Sequence, residues 1–110
     1  MLSLISLGSG SSGNSALVYT EKTFVLVDAG ISAKQLRIRL NDVEVDPDQL
    51  DGILITHEHG DHTRGLEVFC RKLDIPIYCN AVTRESLSLN VSSAETWRII
   101  ECGDSFSIGD

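Results

Sequence analysis

An α/β fold is predicted by three features of this 110-residue sequence. Apolar runs of strand length recur along the chain, beginning with residues 2–7. From residue 33 onward, segments with helical spacing of apolar residues separate these runs. A composition of 42% hydrophobic and 23% charged residues is typical of a folded domain and excludes a disordered chain. We therefore expect one domain over residues 1–110, with a mixed sheet and flanking helices.

Three strands are expected at the start of the chain. Residues 2–7 alternate apolar and polar side chains, and residues 15–20 and 23–27 flank a tight turn, as in a hairpin. The Gly/Ser-rich segment 8–14 lacks the lysine of a phosphate-binding P-loop, and a strand rather than a helix follows it. This segment is therefore expected to be a wide structural turn.

A helix is predicted over residues 33–41. Ser32 and Gln35 occupy the N-cap and N3 positions of a capping box. Leu36 and Leu40 lie on one face of the helix. The helix is expected to pack through that face.

The remaining elements follow from the same periodicities. The predicted elements are a strand buried on both sides at 52–56, a helix at 63–73, a strand at 75–79, a helix at 83–89, and short strands at 97–100 and 105–108. Strands that alternate with helices are typical of the α/β class.

The charge balance argues against a strong electrostatic hold on nucleic acid. Nine basic and sixteen acidic residues give a formal net charge of −7, so no large positive field is available for phosphate backbones. The basic pairs Arg37/Arg39 and Arg71/Lys72 are expected to be solvated helix faces without a binding role.

Cysteine usage and the N-terminal residues predict a cytoplasmic protein. The first seven residues lack the basic start and long apolar run of a secretion signal, and no segment is apolar enough to span a membrane. Cys70, Cys79 and Cys102 are odd in number and lack C-x-x-C spacing. Reduced thiols that pack in the interior are the expected state.

All three histidines lie in the sequence Thr-His-Glu-His-Gly-Asp-His at residues 56–62, directly after the predicted buried strand. Side chains two residues apart in an extended or looping chain project to the same side, so His57 and His59 can bind one ion. Asp61 and His62 follow a flexible glycine and can serve a neighbouring ion. Imidazole and carboxylate ligands suit zinc, and also manganese or iron. The sequence thus predicts a site for two divalent metal ions.

Other interpretations of the cluster are a histidine-rich surface loop and an adventitious metal site. Both are disfavoured because the cluster ends a buried strand, where α/β folds place ligands. A helical H-E-x-x-H protease site is excluded, since these histidines are two apart and Gly60 interrupts a helix.

The predicted reaction is hydrolysis. A pair of divalent ions would hold a bridging hydroxide and clamp the oxygens of a carbonyl or phosphoryl centre. Asp61 could also accept a proton from that water or relay one to the leaving group. The sequence leaves the role of Asp61 open.

Asp28 ends the apolar strand at 23–27 and is followed by Ala29 and Gly30. Its carboxylate could orient a ligating imidazole from the second shell. Alternatively, it could satisfy only the backbone of its own turn. The residues alone favour neither role.

These motifs resemble those of the metallo-β-lactamase fold superfamily, whose mark is a strand ending in T-H-x-H-x-D-H, here residues 56–62. The Leu-Val-Asp-Ala-Gly segment at 26–30 is similar to the first motif of that family. Segments at 9–14, 27–32, 50–59 and 75–78 most resemble a small bacterial subgroup called YycJ or WalJ. The resemblance covers most of the chain, from about residue 3 to residue 109.

The resemblance implies an αββα sandwich with two metal ions between the edges of its two sheets. It implies that His57 and His59 bind one ion, that Asp61 and His62 bind the other, and that Asp28 supports them. It further implies a DNA-directed phosphodiesterase of the exonuclease type. A thioester or lactone hydrolase of the same fold is the alternative.

The chain departs from the family pattern after the cluster. The superfamily completes its site with a further histidine, a bridging aspartate and a final histidine, yet no histidine follows His62 here. Asp104 and Asp110 do not lie in a context that resembles the bridging position. We expect the N-terminal half of a larger hydrolase, with its C-terminal half as the missing partner and an apolar sheet face left exposed. The isolated chain is expected to have little or no activity, or to be an inactive metal-binding or interaction half-domain.

Overall fold

The computed structural model describes residues 2–9, 13–56, 65–70, 75–86, 97–100 and 108. The elements in these ranges are β1 (Ser3–Gly8), β2 (Ser15–Tyr19), β3 (Phe24–Val27), α1 (Ala33–Asp42), a 3-10 helix (Pro47–Gln49), β4 (Gly52–Leu54), α2 (Leu66–Cys70), β5 (Ile77–Cys79), α3 (Ala81–Ser86) and β6 (Trp97–Ile99). The α/β class is confirmed.

The described strands form one mixed sheet in the order β1-β2-β3-β4-β5-β6. The pairs β1/β2 and β2/β3 are antiparallel, whereas β3/β4, β4/β5 and β5/β6 are parallel. The carboxyl ends of β1, β3, β4, β5 and β6 therefore lie at the same edge of the sheet, which we call the carboxyl edge. In α/β proteins, ligands bind beyond the carboxyl ends of the strands.

The buried core lies between one face of the sheet and the helices. Leu17, Leu26, Ile53, Ile77 and Trp97 are successive register partners across β2 to β6, and all five are buried. The helices cover this row with the buried side chains of Leu36, Leu40, Leu66 and Phe69. Each such large apolar side chain contributes roughly 1.5–3 kcal/mol through burial.

The predicted N-cap of α1, one half of the predicted capping box, is confirmed. Ser32 is the N-cap, and its Oγ accepts a hydrogen bond from the Gln35 N–H at 3.2 Å. Leu36 and Leu40 are fully buried, as expected. The helix extends one residue beyond the predicted end, to Asp42.

The opposite face of the sheet is apolar and only partly covered. Leu4 is 68% exposed, and its register partner Val18 and the next partner, Val25, are half-buried. Val27 and Leu54 are a second half-buried pair on neighbouring strands. These described residues are apolar, as expected, but four of the five are half-buried rather than exposed.

Two predicted boundaries differ from those in the structure. The helix predicted at 83–89 begins at Ala81, because Asn80 Oδ1 accepts from the Thr83 N–H at 2.7 Å and caps it earlier. The strand predicted at 52–56 ends at Leu54, although Ile55 N–H still donates to Tyr78 O at 2.9 Å. Most of the strand predicted at 105–108 lies outside the described residues.

Arg37 and Arg39 are both exposed on α1, as expected of a solvated helix face, and each also makes a contact within the protein. The strand register shifts between Ser6 and Gly8, as at a β-bulge, and Arg39 Nη1 donates to the Leu7 carbonyl there at 2.7 Å. The Arg37 guanidinium lies 5.4 Å from the centre of the Phe69 ring. Arg71 and Lys72 lie outside the described residues.

Within the described ranges, no helix combines the length and the apolar composition needed to cross a bilayer.

Candidate metal centre

The segment that follows β3 is tied to three neighbouring parts of the carboxyl edge. Asp28 N–H donates to Leu54 O at 2.7 Å, which connects the segment to β4. Gly30 N–H donates to Asn14 O at 2.8 Å, and Ala29 O accepts from Gly65 N–H at 2.8 Å. These bonds fix residues 28–30 against the end of β4, the start of β2 and the start of α2.

Asp28 has a backbone conformation that few residue types adopt. Its φ is 62°, in the left-handed region, and the residue is buried at 5% exposure. Aspartate and asparagine tolerate this region better than other non-glycine residues. The Ser15 hydroxyl donates to the Asp28 carbonyl at 2.8 Å and holds this conformation. Non-glycine residues with positive φ cluster at functional sites, where surrounding contacts maintain them.

The Asp28 carboxylate is bound at both oxygens by Thr56. Thr56 N–H donates to Oδ1 at 2.8 Å, and the Thr56 hydroxyl donates to Oδ2 at 2.7 Å. Thr56 is 28 positions further along the chain, so these bonds do not serve the turn of Asp28 itself. Hydrogen bonds to a carboxylate are stronger than those between neutral groups. Asp28 therefore anchors the residue that immediately precedes His57.

Asp28 was a candidate from the sequence, whereas no role was predicted for Thr56. The signal for Thr56 was its position directly before the first histidine, at the end of an apolar strand. A hydroxyl there can bind a buried carboxylate through its side chain while the adjacent amide binds the second oxygen.

The predicted ligands His57, His59, Asp61 and His62 all lie outside the described residues. In the part of the chain that the structure describes, no group of three or more His, Cys, Asp or Glu side chains could hold a metal ion. The metal-ligand prediction therefore stays a prediction. Its donor set of imidazoles and one carboxylate has the chemistry that divalent transition metals bind.

Two of the cysteines are buried thiols, as expected. Cys70 and Cys79 are free and buried, and burial raises the pKa of Cys70 to about 12. Burial also raises the pKa of Cys79, and the nearby Arg84 partly opposes that effect. Their burial agrees with the expectation that these thiols pack in the interior. Cys102 lies outside the described residues.

Comparison with known proteins gives the family of this chain. Residues 8–100 match the family model described as the metallo-beta-lactamase superfamily. The chain belongs to the metallo-beta-lactamase superfamily. The match includes both Asp28 and the 56–62 segment.

Among curated members of this superfamily, the chain is similar to proteins named as exodeoxyribonucleases. It is 39% identical over 106 residues to exodeoxyribonuclease YycJ of Bacillus anthracis, covering 94% of this chain and 40% of that protein. It is 40% identical over 108 residues to exodeoxyribonuclease WalJ of Streptococcus pneumoniae, with the same coverage. The chain thus spans about two fifths of the length of these relatives.

Solved structures support the metallo-beta-lactamase fold. A subclass B3 metallo-beta-lactamase with an active-site glutamic acid matches with a TM-score of 0.78 at 20% identity, covering 96% of this chain and 46% of its own. Human tRNase Z, short form, matches with a TM-score of 0.59 at 23% identity, over 74% of this chain and 36% of its own.

Proposed function

We propose that the full-length protein, including any residues beyond those printed, is a metal-dependent phosphodiesterase that degrades DNA as an exonuclease. The observation that carries the proposal is the Asp28–Thr56 pair, a doubly hydrogen-bonded anchor directly before the histidine cluster. The similarity of about 40% to two named exodeoxyribonucleases supports DNA as the substrate. The family match supports hydrolysis as the reaction class.

In this proposal, His57 and His59 would hold one divalent ion, and Asp61 and His62 would hold a second. Zinc fits the donor set, and manganese or iron is also compatible. When bound, such ions supply Lewis acidity and lower the pKa of an attacking water. Asp28 holds Thr56 and thereby fixes where the chain enters the ligand segment. Asp61 is in addition a candidate to accept or relay a proton.

The proposal extends to the architecture and location of the protein. The half-buried apolar residues Val18, Val25, Val27 and Leu54 give a face on which a second sheet could pack. We place residues 1–110 in a single domain that shares this face with the second half of an αββα sandwich. Two buried, free thiols agree with the reducing cytoplasm.

The decisive experiment compares substrate classes with the metal-loaded, full-length protein. Single- and double-stranded DNA, a thioester and a lactone are each supplied with zinc or manganese, and product formation is followed over time. We expect mononucleotides to be released from DNA at a rate well above the rate at which the thioester or the lactone is hydrolysed. Turnover of the thioester or lactone without DNA degradation would contradict the nuclease assignment and favour the alternative hydrolase.

The printed 110 residues alone are expected to show little or no hydrolysis of DNA. With two histidines on one ion, and one aspartate and one histidine on the other, both ions keep open coordination positions. The sequence has no histidine after His62. The measurement is nucleotide release by the purified chain with excess metal. Robust turnover that is abolished by a chelator and by His59→Ala would refute this expectation.

A further inference from the structure

A polar cleft lies at the carboxyl edge, next to the bulge in β1. Its volume is about 370 Å³, and its walls include Gly8, Ser9, Gly13, Ile31 and Arg39. Its described lining combines the cationic side chain of Arg39 with serines, glycines and the apolar residues Leu7 and Ile31. The function proposed above does not use it.

Arg39 is held in place at this cleft. Its Nη1 donates to the Leu7 carbonyl at 2.7 Å, at the register shift in β1. A guanidinium has five N–H donors, and within the described ranges no carboxylate pairs with this one. The remaining donors form a planar fork that matches the oxygens of a phosphate group. A positioned guanidinium with free donors is suited to bind an anion.

Glycine brings this cleft close to the segment that carries Asp28. Gly13 has a φ of +138°, and a Cβ added there would lie 2.7 Å from the Gly30 carbonyl oxygen. Only glycine allows the two backbones to approach so closely. The wall of the cleft is thus in direct contact with the segment that anchors Thr56.

The cleft and the Asp28–Thr56 anchor are within reach of one nucleic-acid strand. Ile31 lines the cleft and follows Asp28 by three residues, which span at most about 10 Å. Along a DNA strand, one phosphate occurs for roughly every 3.4 Å of helix axis. A strand bound beside the Asp28–Thr56 anchor therefore has phosphates at the distance of the cleft.

We propose that Arg39 binds a phosphate of the DNA strand other than the one that is cleaved. This inference rests on the proposed nuclease function and adds a substrate contact outside the metal ligands. It also changes the role predicted for Arg39, from a solvated charge to a substrate-binding residue. The contact supplies a local cation in a chain whose formal net charge is −7.

The test measures DNA binding separately from cleavage. Full-length protein carrying His59→Ala keeps the DNA intact, and Arg39→Gln or Arg37→Gln is added to that background. Arg37→Gln is the matched control, because it removes the same charge from the same helix at a position that does not line this cleft. Fluorescence anisotropy gives Kd for 5′-phosphorylated and 5′-hydroxyl single-stranded oligonucleotides across a salt series.

We expect Arg39→Gln to raise Kd about tenfold, since a charge-assisted contact is lost. The slope of log K against log salt should become shallower by about 0.7, the value for one phosphate contact on a single strand. Arg37→Gln should leave Kd and slope near those of the parent. Arg39→Lys should restore the slope, and part of the affinity.

The outcomes separate a binding role from a structural one. Loss of the Leu7 hydrogen bond alone would lower thermal stability without changing the salt slope. Equal effects of Arg39→Gln and Arg37→Gln on Kd and slope would therefore overturn the proposal. If Arg39→Gln raises Kd only for the 5′-phosphorylated oligonucleotide, the cleft binds a terminal phosphate. If it raises Kd equally for both oligonucleotides, the cleft binds an internal phosphate. If Arg39-dependent binding is found in a protein that hydrolyses no DNA, the proposed function fails and the binding site stands.

Discussion

Replacing His59 with alanine in the full-length protein is expected to lower kcat/KM for DNA by on the order of a thousandfold. His59 is predicted to supply one of two adjacent imidazoles to the same ion, and its loss removes half of that pair. Metal ions contribute several kcal/mol of transition-state stabilisation, and each 1.36 kcal/mol corresponds to a factor of ten in rate. The measurements are steady-state kinetics and the metal content of the purified variant.

Glu58→Ala is the matched control for this experiment. Glu58 lies between His57 and His59, so its replacement changes the same segment without removing an imidazole. We expect Glu58→Ala to retain both metal ions and most of the activity. A His59→Ala protein with unchanged kcat/KM and unchanged metal content would show that the histidine cluster is not the metal centre.

Strand and helix positions were predictable because their signals are local. The apolar alternation of residues 2–7 and the Ser32 cap each depend on neighbouring residues, and the structure confirms both. The Asn80 cap was missed, although its signal is also local, since Asn80 directly precedes the helix that it caps. The class of the sheet followed from the order of these elements.

The contacts that position the candidate site were less predictable, because they join distant parts of the chain. The Asp28–Thr56 bonds connect residues 28 positions apart. The Arg39–Leu7 bond connects residues 32 positions apart. It depends on a β-bulge that the neighbouring residues do not predict. The residue types and spacing of His57, His59, Asp61 and His62 predict metal ligands. Asp28 was already a candidate, but its bonds to Thr56 became evident only from the fold.

Asp28→Asn is expected to reduce metal affinity and activity of the full-length protein by roughly 10- to 100-fold, as for other residues that support metal ligands. Asparagine tolerates the φ of 62° at this position as aspartate does, so the backbone is preserved. Its amide nitrogen cannot accept a hydrogen bond, and one of the two Thr56 donors therefore loses its acceptor. Metal affinity is measured by competition with a chelator.

Asp51→Asn provides the control for loss of a carboxylate between the same two strands. Asp51 Oδ2 accepts from Phe24 N–H at 3.0 Å, at the edge of β3 and β4 opposite the candidate site. We expect this variant to lose some stability and to keep its metal affinity. Similar losses of metal affinity in Asp28→Asn and Asp51→Asn would indicate a general effect of loosening the two strands.

Thr56→Val then separates the two hydrogen bonds that Asp28 accepts. Valine removes the hydroxyl bond to Oδ2 and leaves the backbone bond to Oδ1 in place, so a smaller loss than in Asp28→Asn is expected. If the pair acts as one anchor, the double variant should lose less metal-binding free energy than the sum of the single variants, with a coupling of about 0.5–3 kcal/mol. Strict additivity would mean that Asp28 supports the metal centre by a route other than Thr56.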